Sequence, residues 1–130
     1  MIIACSGYVN EKERPELIVD GDETTKWCDV ANTPSTIDFD LGKETALKGW
    51  RLVNAGRENP QDITSGCYLM GRNSLTEDWH TIDALAANSR NIVTRKFSEP
   101  QTARYLRLMV TTPTQSPTAT DTRIYELSLF

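Results

Sequence analysis

The sequence has no long apolar segment. No run of apolar residues among its 130 positions approaches the ~20 that a membrane-spanning helix needs. The opening segment MIIACSGYVNEKER also lacks the basic leader and long apolar centre of a signal peptide. We therefore expect a soluble chain with no membrane insertion. Its length, with 38% hydrophobic and 25% charged residues, predicts one globular domain over residues 1–130 with one core, excised from a larger multidomain protein.

Positive charge is scarce as well. The chain contains 14 Lys and Arg against 18 Asp and Glu, which gives a net charge of −4, and the acidic excess lies in the first half. Proteins that bind nucleic acid or anionic membranes usually carry a basic patch that neutralises phosphates. Because no broad basic surface can form here, the composition argues against both kinds of partner.

Cysteines are few and widely spaced. Cys5, Cys28 and Cys67 show none of the close pairings that form zinc sites or redox motifs, and three cysteines cannot all pair within one chain. Two alternatives stay open. One is a bridge between Cys5 and Cys28, and the other is a set of buried free thiols, which behave as small apolar side chains.

Signatures of catalysis are missing. The single histidine, His80, follows Trp79 in a predicted strand, and no serine or cysteine has the surroundings of a catalytic nucleophile. Asp38 and Asp40 share the solvent face of a predicted strand, but no glycosidase signature accompanies them. The sequence therefore predicts a binding or structural domain and not an enzyme.

The sequence does contain short stretches in which apolar and polar residues alternate, as in strands with one buried face. In TIDFDLG, for example, Ile37, Phe39 and Leu41 share one face, and Gly42 ends the predicted strand. Only RPELIVDG has a helical character, over a turn or two from Pro15. The other predicted strands are KGWRLVNAG, CYLMGRN, DWHTID, NIVTRKF, RYLRLMV and RIYELSLF. Many short strands between turn-rich segments predict an all-β antiparallel sandwich.

The stretch DGDETTKWCD, residues 20–29, raises the question of a metal site. It fails the EF-hand template, because the positions that need glycine and glutamate hold Thr25 and Ala31. A hard cation can also be held by a few side-chain oxygens together with backbone carbonyls, if the chain bends tightly. Asp20 and Thr25 offer such oxygens, and Gly21 permits the bend.

A further anionic ligand is available at the other end of the chain. In RIYELSLF, the alternation turns Tyr125, Leu127 and Leu129 towards the core, so Glu126 must point away from that face. Glu126 could then complete a cation site with Asp20. The residues alone leave two interpretations open, a cation loop and a solvated acidic turn.

Six segments in this order resemble the discoidin domain, also called the coagulation factor 5/8 type C domain, whose bacterial relatives form carbohydrate-binding module family 32. The segments are PELIVDGDETTKW, IDFDLG, a tryptophan in a strand, LMGRNSLTEDWHTI, ARYLRLMVTTPTQS and RIYELSLF, from about residue 4 to the end. The chain most resembles modules appended to bacterial glycoside hydrolases, including alpha-mannosidases. The resemblance implies a galactose-binding-domain-like fold, a jelly-roll-like antiparallel β-sandwich of about eight strands.

The resemblance also implies one structural calcium ion, which ties the first loop to the last strand. The matching positions supply the carboxylates of Asp20 and Glu126, the hydroxyl and carbonyl of Thr25, and the carbonyls of Leu17, Asp22 and Tyr125.

In the resembling family, sugars bind to loops at one end of the sandwich. An aromatic ring stacks on the sugar there, and polar side chains bond to its hydroxyls. The loop of residues 54–65 is the expected site, and its candidate residues are Asn54, Arg57, Glu58, Asn59 and Gln61. A solvated polar loop is the alternative interpretation.

Two features depart from the sugar-binding pattern. The segment CDVANTPS, after Trp27, lacks the histidine or aromatic residue that many relatives have there, and the loop of residues 54–65 has no aromatic residue. The three tryptophans, Trp27, Trp50 and Trp79, match core positions of the family and are expected in the core.

Two functions therefore stay open. The first is a non-catalytic carbohydrate-binding module that targets a bacterial glycoside hydrolase to glycans. The second is an accessory module that packs against the catalytic domain of its parent and has lost sugar binding. The expected partners are a mono- or oligosaccharide and that catalytic domain, and the chain is expected to be a monomer. The resemblance also suggests an extracytoplasmic location: secreted, periplasmic or on the cell surface.

Overall fold

The computed structural model describes residues 1–30 and 33–130, and within them the chain forms seven antiparallel strands. The strands are β1 (Ile2–Cys5), β2 (Trp27–Asp29), β3 (Ser35–Asn54), β4 (Gly66–Arg72), β5 (His80–Leu85), β6 (Ile92–Thr112) and β7 (Thr122–Leu129). Three short 3-10 helices are found at Glu11–Glu13, Pro15–Val19 and Pro60–Asp62. The prediction of an all-β antiparallel fold is confirmed.

The two longest strands, β3 and β6, contribute to both layers of the sandwich. Residues 35–40 of β3 pair with β1 and with the end of β6, whereas residues 49–53 pair with β7 and with the beginning of β6. The register between β3 and β6 shifts between Asp40 and Thr45 and again between Leu47 and Gly49, where the chain passes from one layer to the other. The strand order is β2-β7-β3-β6-β4-β5, with β1 beside β3. β2 and β7 therefore lie in one layer beside the second half of β3, whereas β1 lies beside the first half of β3 in the other layer.

The core lies between the layers and is formed by the alternating apolar residues. Ile37, Leu69 and Leu108 are fully buried on β3, β4 and β6, as the period of two predicts. The predicted helical turn exists as the 3-10 helix Pro15–Val19, which Ile18 anchors to the core with no exposed surface. Burial of each large apolar side chain contributes about 1.5–3 kcal/mol to folding.

Two details of the strand prediction are wrong. Gly42 does not end a strand, because its φ of +86° places a turn inside β3, which continues to Asn54. The predicted strands NIVTRKF and RYLRLMV are likewise two parts of the single strand β6. A bend within a strand and the end of a strand have similar sequence features. After a bend, however, the pairing with the neighbouring strand resumes. The result is seven strands in the described residues where about eight were expected.

The tryptophans are only partly where they were expected. Trp27 and Trp50 are in the core, and their indole N–H groups donate to Gly7 O (2.9 Å) and to an Asp83 carboxylate oxygen (2.8 Å). Trp79 is half-buried and lies outside the core, just before β5. Arg72 and Arg107 place their guanidinium carbons 4.1 and 4.8 Å from the centre of its ring. Cation–π contacts at the surface therefore hold Trp79, and its expected place in the core is wrong.

The structure decides between the two cysteine alternatives. Cys5, Cys28 and Cys67 are all free thiols, and the last two are buried. Burial raises the pKa of Cys28 to about 11 and the pKa of Cys67 to about 12. In residues 1–30 and 33–130, no helix combines the length and the apolar character that crossing a membrane requires.

Candidate functional site

The acidic loop, residues 20–25, folds around the carboxylate of Asp20. One oxygen of this carboxylate accepts from the N–H of Asp22 (2.9 Å), and the other accepts from the hydroxyl of Thr25 (2.6 Å). Gly21 has a φ of +76°, which glycine adopts without strain, and it provides the bend that the sequence predicted. Asp22 turns its own carboxylate to Thr24, whose hydroxyl lies 2.6 Å away. The side-chain oxygens of Asp20 and Thr25 are therefore brought together on one side of a tight turn.

Glu126 on β7 meets this loop. Its Oε1 accepts from the N–H of Gly21 over 3.4 Å, whereas its Oε2 is buried and has no hydrogen-bond partner in the described residues. The residue is 5% exposed. Burial raises the pKa of Glu126 to about 7, and the charge of Asp20 adds to this shift. This oxygen lost its hydrogen bonds to water on folding and gained no protein donor in return, which costs free energy.

The oxygens at this place suit a hard cation. Asp20 and Glu126 offer two carboxylates, and Thr25 offers a hydroxyl. In the described part of the chain, no group of three or more His, Cys, Asp or Glu side chains is arranged to hold a metal ion. The remaining ligands of a six- to eight-oxygen shell would have to be carbonyls, such as those of Leu17, Asp22 and Tyr125. The unpartnered Oε2 of Glu126 is the atom that a divalent cation would satisfy.

The candidate residues of the sugar loop differ in their availability. Asn54 is 1% exposed, and both ends of its amide group bond within the protein: the NH₂ donates to Asn91 O (3.2 Å), and the oxygen accepts from Thr64 N (3.3 Å). Asn59 caps the 3-10 helix Pro60–Asp62 by accepting from the N–H of Gln61 (3.0 Å). Both asparagines shape the loop. The side chains of Arg57, Glu58 and Gln61 remain exposed.

Glu58 belongs to a network with residues from other parts of the chain. Lys26 Nζ lies 2.7 Å from Glu58 Oε1, and the hydroxyl of Tyr125 donates to the same oxygen. Burial opposes the ionisation of Glu58, but the hydrogen bonds from Lys26 and Tyr125 hold its pKa below the ordinary value. Burial, and then the bond to Glu58, raises the pKa of Tyr125 to about 12. Tyr125 therefore stays a neutral phenol in a fixed orientation.

Between the acidic loop and the sugar loop lies a cavity of about 250 Å³, which we call the Tyr125 cavity. Tyr125 and Val53 give it an apolar wall. Its other lining residues are Glu23, Thr24, Asn54 and Arg57. The structure thus places an aromatic ring beside the predicted sugar loop, although the loop itself has none. This is the lining that sugar binding requires: one planar apolar surface with polar groups around it.

In two other grooves of the described residues, an arginine that lines the groove is already paired. In a groove of about 430 Å³ at Gln61 and Thr118, Arg123 contacts the carboxylate of Asp62 (3.4 Å). A groove of about 400 Å³ beside β5 holds the ion pair of Arg95 and Asp83 (2.9 Å). In the Tyr125 cavity the guanidinium of Arg57 has no partner among the described residues and shares the lining with a tyrosine ring. The guanidinium of Arg90 is also unpaired, but the groove of about 310 Å³ that it lines has no aromatic residue.

Residues 2–126, nearly the whole chain, match the model of the F5/8 type C domain. The chain belongs to the F5/8 type C domain family. The family that the sequence segments suggested is thereby confirmed. No curated protein sequence matches this F5/8 type C domain significantly.

Solved carbohydrate-binding modules share the fold of this F5/8 type C domain. The family 32 module of Streptococcus pneumoniae EndoD has a TM-score of 0.85 and 20% identity, over 100% of this chain and 94% of that one. The family 32 module of C. perfringens NanJ, solved with galactose, has a TM-score of 0.79 and 13% identity, over 97% and 90%. Chitosan-binding module 2 of a Paenibacillus sp. IK-5 chitosanase/glucanase, solved with chitotriose, has a TM-score of 0.78 and 17% identity, over 98% and 93%. At these identities the likeness establishes the fold.

Sequence reasoning on this F5/8 type C domain predicted Asn54 and Arg57 of the cavity lining but missed Glu23 and Thr24, and it missed the apolar wall that Tyr125 and Val53 form. Tyr125 was expected to face the core with Leu127, but it is half-buried outside the core cluster and lines the cavity. Alternation with Trp50 and Leu52 puts Val53 on the opposite face of β3, but only the structure shows that this buried side chain lines a cavity there. The carboxylates of Asp38 and Asp40, expected on a solvent face, are each bound by an arginine, Arg107 (2.7 Å) and Arg104 (3.1 Å). These two ion pairs are structural.

Proposed function

We propose that this domain is a non-catalytic carbohydrate-binding module that holds a parent glycoside hydrolase near its glycan. The observation that carries the proposal is the Tyr125 cavity, where the ring of Tyr125 and the unpaired guanidinium of Arg57 line one space. A sugar has apolar C–H faces, which can pack on the ring of Tyr125, and many hydroxyls, which can bond to the guanidinium of Arg57. Modules of the same fold that have been solved with galactose or chitotriose support the proposal.

Arg57, Glu58 and Gln61 are the exposed polar residues of the proposed site, while Asn54 and Asn59 hold the loop in shape. The site is open and small, so we expect weak binding of a single sugar, with Kd of about 0.1–1 mM. His80, the single histidine, is exposed at the first position of β5, and its imidazole ring has no hydrogen-bonding partner in the described residues. Nothing in the proposed site resembles an activated nucleophile or a paired acid and base.

The proposal also includes one structural calcium ion. Asp20, Thr25 and Glu126 would hold it by side-chain oxygens, with carbonyls of Leu17, Asp22, Thr25 and Tyr125 completing the shell. The ion would compensate the buried Oε2 of Glu126 and fasten the acidic loop to β7. Its part is structural: it holds the loop that carries Glu23 and Thr24 against the Tyr125 cavity.

A glycan array on the isolated domain, followed by calorimetric titration of galactose, N-acetylglucosamine, mannose and fucose, tests the proposal. We expect at least one measurable response, which Arg57→Ala reduces by tenfold or more. Arg90→Ala is the matched control, because Arg90 is also exposed but lines a different groove. If no glycan binds at all, the domain is instead an accessory module that packs against the catalytic domain of its parent. The proposed setting, a monomeric domain outside the cytoplasm, is checked by sedimentation and by cell fractionation of the parent protein.

A further inference from the structure

Tyr125 owes its outward position to a β-bulge. Val53 of β3 is opposite Glu126 of β7, but the next residue, Asn54, is opposite Ile124, so Tyr125 has no residue across from it. An extra residue of this kind bends the strand and re-aims its side chain. Ile124 and Glu126 are both buried, whereas Tyr125 between them is only half-buried. The bulge therefore removes an aromatic ring from the core and presents it to the Tyr125 cavity.

The ring of Tyr125 is held in place on its polar side. Its hydroxyl donates to Glu58, and Lys26 Nζ lies 5.6 Å from the centre of the ring. Lys26 also contacts Glu58 at 2.7 Å, so the phenol, the ammonium and the carboxylate form one closed network. A ring fixed in this way loses little conformational freedom when a ligand stacks on it.

The polar groups of the cavity favour a ligand that accepts hydrogen bonds. The amide of Asn54 is used within the protein, and the hydroxyl of Thr24 donates to Asp22. The carboxylate of Glu23 is paired with Arg51 at 3.2 Å. Arg57, by contrast, offers a complete set of guanidinium N–H groups, and it has no partner in residues 1–30 and 33–130.

We propose that the Tyr125 cavity is a subsite for an acidic pyranose, whose carboxylate pairs with Arg57 while its C–H face packs on Tyr125 and Val53. The proposal deepens the function proposed above and rests on it. A guanidinium binds a carboxylate through two parallel hydrogen bonds, which no neutral hydroxyl can reproduce. The volume of about 250 Å³ is below that of sites for drug-sized ligands, so it suits one sugar ring.

Two carboxylates of the proposed cation site would repel an anionic ligand. Asp20 and Glu126 belong to the same loop and strand as the wall of the cavity. Bound calcium would offset their charge, and for this reason the binding experiment is made in a buffer that contains calcium.

The experiment compares matched acid and neutral sugars by calorimetry: glucuronic acid with glucose, and galacturonic acid with galactose. For the wild-type domain we expect the acid of at least one pair to bind about tenfold more tightly than its neutral partner. Arg57→Gln should bring the ratio of the two affinities close to one, and Arg57→Lys should keep part of it. Raising the salt concentration should lower the ratio as well. Arg90→Gln is the control and should leave the ratio as it is in the wild type.

Tyr125 is tested with two substitutions. Tyr125→Phe keeps the ring, and Tyr125→Leu removes it, so we expect Tyr125→Leu to weaken acid and neutral sugars alike and Tyr125→Phe to weaken them less. Thermal melting of each variant checks that the domain still folds. Equal affinities for acid and neutral sugars would overturn the acidic subsite and leave the binding module standing. Binding that survives Tyr125→Leu unchanged would also overturn it. If no sugar of either kind binds, the function proposed above fails with it.

Discussion

The N–H of Gly21 donates to Oε1 of Glu126 over 3.4 Å, and this bond joins residues that are 105 positions apart in the chain. The acidic loop is thereby closed onto the last strand. Glu23 and Thr24 of that loop and Tyr125, the neighbour of Glu126, are also walls of the Tyr125 cavity. The proposed cation site and the proposed sugar subsite therefore share two segments of backbone, and the subsite adds Val53, Asn54 and Arg57 from a third.

Calcium should stabilise the domain through Glu126. We expect calcium to raise the melting temperature by several degrees, because a ligand at 100 times its Kd adds about 2.7 kcal/mol to the free energy of unfolding. Glu126→Gln should abolish the increase, whereas Glu99→Gln, on an exposed part of β6, should keep it. Differential scanning calorimetry with calcium and with chelator measures both. Identical wild-type melting curves under the two conditions would contradict the cation site.

Calcium should also strengthen sugar binding. An ion held by Asp20 and Thr25 orders the loop that carries Glu23 and Thr24. The loop then loses less conformational entropy when the sugar binds. We expect the Kd of whichever sugar binds to rise about fivefold or more in chelator, and the sugar to raise the affinity for calcium by the same factor. In Glu126→Gln the Kd should be the same with calcium and with chelator. A wild-type Kd that does not respond to chelator would show that the two sites are independent.

The carboxylate of Asp83 should make the stability depend on pH in the acid range. Burial opposes its ionisation, but hydrogen bonds from Arg95 and from Trp50 Nε1 outweigh burial and hold the pKa of Asp83 below its ordinary value. The stabilisation is therefore present above the unfolded-state pKa of about 3.9 and is lost as the pH falls through the lower pKa of the folded state.

We expect Asp83→Asn to lower the free energy of unfolding at pH 7 by about 1–3 kcal/mol. The difference from the wild type should shrink below about pH 4. Urea denaturation across this pH range is the measurement. Asp78→Asn, at an exposed carboxylate, should follow the wild type at every pH. A difference between Asp83→Asn and the wild type that stays constant with pH would rule out this contribution of the carboxylate.

Any side chain at position 49 should destabilise the fold. A Cβ at this position would meet the carbonyl oxygen of Arg95 and stand 2.6 Å from Cζ of the Phe130 ring. We expect Gly49→Ala to lower the free energy of unfolding by about 1–3 kcal/mol or more, because the Arg95 carbonyl belongs to the paired strand and cannot move aside easily. Gly66→Ala is the comparison, since its Cβ would come no closer than 3.2 Å to Thr112. Equal unfolding midpoints for the two variants would refute this interpretation.

The local sequence determined the class of the fold and most of the core. Ile37, Leu69 and Leu108 could be assigned to the interior because neighbouring side chains of a strand alternate between its two faces, a property that needs no knowledge of the partner strand. The bend at Gly21 and the helical turn from Pro15 were readable for the same reason, since both depend on the conformational range of single residues.

Only the tertiary structure decided where Tyr125 and Glu126 point. The bulge at Tyr125 exists because the pairing of β7 with β3 skips this residue. The register of a pair depends on both strands, so one strand's sequence does not reveal it. Alternation along β7 alone therefore placed Tyr125 in the core, and it lies at the cavity instead. The meeting of Gly21 with Glu126 likewise depends on strand pairing across nearly the whole chain, so the sequence supplied the oxygens and the fold brought them together.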